Sequence, residues 1–178
     1  MKKTILLLLF PIHLFSQDTT SANGRMTHLT AMANRVNVVV KNEYTELGTF
    51  SGLRIQLLVV TDQSINKSAS GIKIVLKNKA AGDSPGYFSY VDGEDIGGLV
   101  KFLKDIQNLK DPVTTYTGYN YSCRGDFKVF ATRKPGEKEW TKSVYVDRDY
   151  PESLLELTPE TASVLIEALI SAQSKLNK

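Results

Sequence analysis

The stretch DGEDIGGLVKFLKDIQN, residues 92–108, predicts the element around which the rest of the chain is organised. Its apolar residues recur at intervals of three and four positions, a spacing that places them on one face of an α-helix. These residues are Ile96, Leu99, Val100, Leu103 and Ile106. Asp92 can cap such a helix, and Glu94 and Asp95 put negative charge in its first turn, where the helix dipole favours it. The stretch therefore predicts a helix from Gly93 to Asn108 that buries one face in a core.

A second helix of the same kind is predicted from Pro159 to Leu176. Thr158 supplies a capping hydroxyl before it, and proline suits the first helical position because no hydrogen-bond donor is needed there. Its apolar face is formed by Ala162, Leu165, Ile166, Leu169, Ala172 and Leu176. At an offset of 66 residues, five positions of the two helices match in character: Glu94 with Glu160, Leu99 with Leu165, Val100 with Ile166, Leu103 with Leu169, and Gln107 with Gln173. Any two amphipathic helices share some pattern, but this match favours an internal duplication.

Alternation of apolar and polar residues predicts four strands before each helix. The first four cover residues 36–47, 53–62, 71–78 and 86–91, and the second four cover residues 113–123, 127–133, 139–146 and 151–156. Segments rich in glycine, asparagine, aspartate and proline separate most of them, as turns require. We therefore expect an α+β fold of two tandem units, each of four strands and a helix, with two antiparallel sheets packed with both helices.

The N-terminus has the layout of a signal peptide. Lys2 and Lys3 precede a short run of leucines, and a polar segment follows from Ser16. The apolar run is shorter than the roughly 20 residues that a membrane-spanning helix needs, and Pro11 interrupts it. We therefore predict export with cleavage after Ser16 and no membrane anchor afterwards, which places the mature protein in the periplasm or outside the cell.

The remaining chain is predicted to form one domain behind a leader. Residues 17–35 are expected to be flexible, although the apolar spacing between Met26 and Asn34 allows a short helix there. Residues 36–178 form the single domain, with a first unit at 36–109 and a second unit at 110–178.

Charge and cysteine content exclude several classes of protein. Without Lys2 and Lys3, 20 basic residues stand against 19 acidic ones, so the mature chain is no polycation. Its single cysteine, Cys123, cannot form an internal disulfide, and we expect a buried thiol in a strand or else an intermolecular link. A disulfide-stapled scaffold is therefore excluded, and strong non-specific binding to nucleic acid or anionic lipid is not expected.

Most catalytic signatures are missing from the sequence. After signal removal His28 is the only histidine, and the chain has no zinc-protease, phosphate-loop, dinucleotide-binding or serine-hydrolase motif. The carboxylate pair Glu94/Asp95 is explained by the start of a helix rather than by catalysis. The pair 147/149 could contact a cation, but the segment lacks the further ligands and the glycine of a calcium loop. The tripeptide at 124–126, Arg-Gly-Asp, is expected at an exposed hairpin tip, where turn chemistry explains it. We predict no enzyme, no cofactor and no metal.

Aromatic and basic residues on the second set of strands form the candidate binding face. Tyrosine and basic side chains on a half-exposed sheet are suited to stack on a base, a sugar or a loop of a partner, although they are also common on any solvated sheet. The candidate residues are Tyr119, Tyr121, Lys128, Arg133, Lys142 and Tyr145.

Two resemblances extend this interpretation. The order of elements from Val36 to Leu176 resembles the Whirly and PUR-type fold, in which two sheets pack crosswise around the helices. In its residues the chain looks more like a group of exported proteins of Bacteroidota, through the junction YVDGEDIGGLV at 90–100 and the hairpin RGDFKVF at 124–130. The second resemblance implies only a fold, whereas the first implies binding of single-stranded nucleic acid.

These observations lead to one expected function and two alternatives. We expect an exported, non-enzymatic binding module for an unknown protein or small ligand, and the sequence leaves self-association open. The first alternative is a single-stranded nucleic-acid-binding protein of Whirly or PUR type. Export and near-neutral charge disfavour it. The least favoured alternative is a small hydrolase that uses carboxylates.

Overall fold

The computed structural model of the chain describes residues 26–77 and 86–177. The predicted signal peptide, the leader before residue 26 and the connection at 79–85 lie outside these residues. The helices are α1 His28–Ala33, α2 Ile96–Gln107 and α3 Pro159–Leu176. The strands are β1 Val40–Phe50, β2 Leu53–Asp62, β3 Lys67–Leu76, β4 Tyr87–Asp92, β5 Thr117–Ser122, β6 Lys128–Arg133, β7 Thr141–Tyr145 and β8 Leu154–Glu156. Two short 3₁₀ turns occupy Gly93–Asp95 and Pro151–Ser153.

The eight strands form two separate four-stranded sheets. The first sheet has the order β1-β2-β3-β4 and the second has the order β5-β6-β7-β8, and every neighbouring pair is antiparallel. Each sheet is followed in the chain by one long helix. The predicted α+β class and its two tandem units of four strands and a helix are therefore confirmed.

Burial at equivalent positions of the two long helices supports the duplication. Leu99 and Leu165 are fully buried, as are Leu103 and Leu169. The same offset also pairs the core residues Ile96 with Ala162, Val100 with Ile166, and Ile106 with Ala172. Side chains from both sheets join these helices in a single core. The two long helices therefore pack against each other, and each also contacts the sheet of the other unit: α3 contacts β1 and β3, and α2 contacts β5.

The short helix α1 covers the opposite face of the first sheet. Its Leu29 is fully buried and packs with Leu58 and Val60 of β2, which form a small second core. The side chain of Thr27 accepts a hydrogen bond from the amide of Thr30 and so caps the helix. The predicted short helix is thus present, and it is docked on the sheet.

The observed ends of some strands differ from the predicted ends, because hydrogen-bonded pairing with a neighbouring strand sets where a strand begins and ends. β1 continues past Gly48 through a bulge between Glu46 and Gly48, and the chain turns at Ser51 and Gly52, whose φ angles are positive. The turn predicted at 48–52 is therefore shorter. β5 begins only at Thr117 because Thr117 already pairs with Arg133, the last residue of β6, so residues 113–116 have no partner in that sheet.

Burial determines the chemistry of the single cysteine. Cys123 is a free, buried cysteine, and desolvation raises the pKa of its thiol far above the ordinary value.

No helix within the described ranges has the length and apolar character to span a membrane.

Candidate functional site

The register of the second sheet divides the predicted binding residues between two faces. Directly opposed residues of antiparallel strands point to the same face. Tyr119 opposes Ala131, which also opposes Lys142, and Tyr121 opposes the buried Val129. Four of the six residues therefore belong to the face that packs on the helices: Tyr119, Tyr121, Arg133 and Lys142. Lys128 opposes Tyr145, and both lie on the other face, so the six residues do not form one face.

Two of these residues are engaged within the fold. The ring of Tyr121 stacks on Phe102 of α2 with centroids 5.7 Å apart, and the glycine at position 98 leaves room for its hydroxyl. Arg133 is buried and donates hydrogen bonds to the carbonyl oxygens of Glu137 and Asp111, at 2.9 Å each. Arg133 therefore holds two loops together from a buried position, whereas Tyr121 is half-buried and packs on α2.

The other four residues are at least partly accessible but separated. Tyr119 is exposed and tilts against Trp140 with centroids 5.4 Å apart. On the opposite face Tyr145 stacks on Phe130 at the same centroid distance, 5.4 Å, and Lys128 lies beside it across the strand pair. Lys142 is half-buried. These contacts leave small patches rather than a continuous binding surface.

A more concentrated aromatic surface lies on the first sheet, on the face that points away from α2 and α3. We call it the aromatic face, and it consists of Tyr44, Lys73, Phe88 and Tyr90. The ammonium of Lys73 lies 5.0 Å from the ring centroid of Phe88 and 5.8 Å from those of Tyr44 and Tyr90. Tyr44 and Phe88 remain 50% and 45% exposed. Three rings thus surround one cation at the surface.

Charge around the aromatic face is balanced except at Lys73. Beside it, Arg54 donates to both carboxylate oxygens of Glu46, at 2.9 and 3.2 Å, and this hydrogen bonding lowers the pKa of Glu46. Among the ion pairs of the described residues, none includes Lys73. A cavity of about 330 Å³ adjoins Phe88 and Tyr90. Lys73 is therefore the cation that this face offers to a ligand.

The sequence prediction missed the aromatic face, although a signal for it was present. Phe88 and Tyr90 are two residues apart on one strand, which places both rings on one side. Lys73 is the one charged residue within the apolar stretch 71–76 of β3. Only the pairing of Lys73 with Tyr90 brings these two signals together.

The loop between β5 and β6 meets the first unit at a charged cluster, which we call the Asp92 junction: His28, Asp92, Glu94 and Arg124. Asp92 is 98% buried, and its carboxylate accepts hydrogen bonds from the backbone amides of His28, at 2.8 Å, and Leu29, at 3.2 Å. It makes no side-chain capping bond to its own helix, so that part of the prediction is wrong. Asp92 instead holds the start of α1.

Arg124 occupies the centre of the Asp92 junction. Its guanidinium donates to Glu94 at 2.5 Å and lies 3.1 Å from His28 Nε2 and 3.5 Å from Asp92. The hydrogen bond with Glu94 raises the pKa of Arg124 above its ordinary value. The tripeptide at 124–126 is therefore not a free hairpin tip, which corrects the prediction, because its arginine binds the first unit.

His28, Asp92 and Glu94 each bring a ligand atom within 4.8 Å of the others, a spacing that could hold a metal ion. The guanidinium of Arg124, at 2.5 Å from Glu94, places a fixed positive charge at this point. A cation would have to displace it and overcome the repulsion. The arrangement therefore favours a structural ion cluster that ties the two units together.

A groove lies between α1, the start of β3 and the end of α3. Its volume is about 920 Å³, and its lining is mixed, with Lys67, Glu94 and Gln173 among the polar residues. Arg35 at its rim is paired with the buried Asp62. The hydroxyl of Ser64 donates to Asp62, and this hydrogen bond is the largest cause of the lowered pKa of that carboxyl. The groove thus has shape and polarity, but two of its charged groups are paired with residues outside its lining, Arg35 with Asp62 and Glu94 with Arg124.

Comparisons with protein-family models, with curated proteins and with solved structures found no match to the chain.

Proposed function

We propose that this protein is an exported, non-enzymatic binding module and that its contact surface is the aromatic face of the first sheet. The observation that carries the proposal is the exposed cluster of three rings around Lys73. Exposed apolar surface adds little to folding, and where it is grouped with a cation it is suited to bind a partner. A protein segment or small ligand that carries a carboxylate beside an apolar or planar group complements this face.

The face itself is firmly supported. Its residues lie on β1, β3 and β4, and the other side of the same sheet contributes Ile55, Ile72 and Ile74 to the core. Side chains on paired strands keep fixed relative positions better than side chains on loops. The rings are therefore preorganised, which reduces the entropy lost when a ligand binds.

Binding of single-stranded nucleic acid is the alternative that this same face supports, because bases stack on aromatic rings and phosphates pair with lysine. The small number of unpaired cations on this face argues against nucleic-acid binding. On the aromatic face and beside it, Lys73 stands with Arg54, and Arg54 is already paired with Glu46. A protein that neutralises few phosphates binds weakly at physiological salt.

We further propose that the fold is of the Whirly and PUR type and that the chain belongs with exported proteins of Bacteroidota. The order of four strands and a helix, repeated once, supports the first part. The junction at 90–100 and the hairpin at 124–130 support the second part through their residues. Neither resemblance brings a catalytic residue with it.

Export is tested by the mass of the secreted protein. The signal-like order of lysines, leucines and Ser16 predicts that the mature chain begins at Gln17 or within a residue or two of it. Intact-mass measurement on protein recovered from outside the cytoplasm checks this start. A mass that includes residues 1–16 would contradict the signal peptide.

The binding face is tested by removing one exposed ring. Phe88→Ser removes the ring that lies closest to the Lys73 ammonium, so we expect loss of partner binding. We also expect only a modest loss in the free energy of unfolding, about 1 kcal/mol, because the side chain is nearly half exposed and its ring contacts are limited to Tyr90 and Lys73. Val164→Ser is the matched control, since Val164 is 41% exposed on α3, away from this face.

The measurement is quantitative mass spectrometry on material that each tagged variant captures from the exported fraction of the source cells. A discrete species that the unmodified chain and Val164→Ser retain, and that Phe88→Ser loses, supports the proposal. Equal capture by all three chains contradicts it. Fluorescence anisotropy with a labelled single-stranded oligonucleotide distinguishes the proposed function from nucleic-acid binding. Nanomolar affinity for the oligonucleotide that is lost in Phe88→Ser would favour nucleic-acid binding and contradict the proposed function.

A further inference from the structure

Strand β1 forms an open edge of the first sheet. It has 11 residues and, within the described residues, pairs only with β2. Six consecutive residues, from Lys41 to Glu46, are exposed. The backbone groups on the outer side of such a strand are a template for another strand.

The hydrogen-bonding pattern identifies which residues point their backbone groups outward. The carbonyl oxygen of Val39 accepts a hydrogen bond from the amide of Gln63 at 2.9 Å, so Val39 faces β2. In an antiparallel pair the direction alternates along the strand. The backbone groups of Val40, Asn42 and Tyr44 therefore point away from β2, toward the open edge.

We propose that a second copy of this chain pairs with β1 along this edge, antiparallel and across a two-fold axis centred on Asn42. This register places Asn42 opposite the partner's Asn42, and Val40 opposite the partner's Tyr44. All these residues have outward backbone groups, so the pairing supplies about six backbone hydrogen bonds. The edge becomes an internal strand pair of a continuous eight-stranded sheet.

Charge complementarity selects this register. Lys41 and Glu43 already form an ion pair within one chain, with Nζ and Oε1 2.9 Å apart. With the axis at Asn42, Lys41 lies opposite the partner's Glu43 and Glu43 lies opposite the partner's Lys41, so four alternating charges meet. Opposite charges in such cross-strand positions are stabilising, and like charges are destabilising.

Neighbouring registers lack this match. An axis at Glu43 places that carboxylate opposite its own copy, and an axis at Lys41 does the same for the ammonium. An axis at Tyr44 places Lys41 opposite the partner's Leu47, with no charge to pair. Of these registers, only the axis at Asn42 pairs each charge with its opposite.

The proposed dimer also joins two aromatic faces. A two-fold axis perpendicular to the sheet leaves each face on its own side, so both copies of Tyr44 lie on one surface of the eight-stranded sheet. A ligand with two equivalent groups would then bind more tightly through the increased effective concentration. The dimer itself depends only on β1 and does not rest on the proposed function.

The test is sedimentation of the full chain over a concentration series, with two charge variants. Lys41→Glu places four carboxylates at the interface, and Glu43→Lys places four ammonium groups there. We expect each variant alone to raise the dimer dissociation constant by about 10- to 100-fold. Mixing the two variants restores opposite charges at every pair, so we expect a heterodimer with the affinity of the unmodified chain.

The double variant with Lys41→Glu and Glu43→Lys provides a control, because it exchanges the charges and keeps every opposite pair. We expect it to form a dimer like the unmodified chain. Recovery in the mixture also shows that both single variants are folded. Sedimentation of the unmodified chain as a monomer at every concentration would overturn the proposal, as would a dimer whose affinity none of these changes alters.

Discussion

Leu103→Ala and Leu169→Ala are each expected to lower the free energy of unfolding by about 2 to 5 kcal/mol. Both leucines are fully buried, and they occupy equivalent positions of α2 and α3. Truncation of either leucine to alanine removes apolar contacts and leaves a cavity. The surrounding sheets and helices cannot move far enough to fill that cavity. Comparable losses at the two positions are expected because both units contribute to one core.

Urea unfolding followed by the fluorescence of Trp140, the single tryptophan, measures these losses. Ile170→Ala is the matched control, because Ile170 belongs to α3 but is exposed. Its expected change is within about 0.5 kcal/mol. A loss at Leu103 or Leu169 no larger than that of the control would show that the stripe does not form the core.

The helices could be predicted from the sequence because their signals are local. Thr158 as a cap and Pro159 at the first position lie at the helix start, and the helical spacing lies within the helix itself. The strands could be placed only approximately, since a strand ends where its partner ends. β5 illustrates this, as its first residue is set by the end of β6, 16 residues further along the chain.

The candidate site was less predictable for the same reason. Alternation within β5 shows that Tyr119 and Tyr121 lie on one face of the strand. It does not show which residues of β6 lie on that same face of the sheet. The register answers this, and it places Tyr121 opposite the buried Val129 and apart from Lys128. The aromatic face likewise depends on the pairing of Lys73 with Tyr90 between separate strands.

Long-range hydrogen bonds explain the different role of Asp92. The sequence placed it as the cap of the helix that follows it, because an aspartate before a helix usually serves that purpose. Its carboxylate instead binds amides 63 and 64 residues away along the chain. No periodicity within either segment could indicate this contact.

Asp92→Ala is therefore expected to lower the free energy of unfolding by about 1.5 to 3 kcal/mol, the usual range for hydrogen bonds to a charged group. The amides of His28 and Leu29 lose their acceptor, and the Arg124 guanidinium loses one of its two ion-pair partners, Asp92 and Glu94. We also expect faster hydrogen exchange at those two amides, because the start of α1 is released.

Glu94→Ala is the informative comparison, because Glu94 binds the same guanidinium at the shorter distance of 2.5 Å, against 3.5 Å for Asp92. If distance to Arg124 set the energy, the Glu94 variant would lose more stability. Its side chain is 54% exposed, however, against 2% for Asp92, and water screens an exposed ion pair. We therefore expect a loss of at most about 1 kcal/mol for Glu94→Ala. Equal losses in urea unfolding, or unchanged exchange at His28 and Leu29 in Asp92→Ala, would contradict the assignment of Asp92 as the residue that holds α1 to the domain.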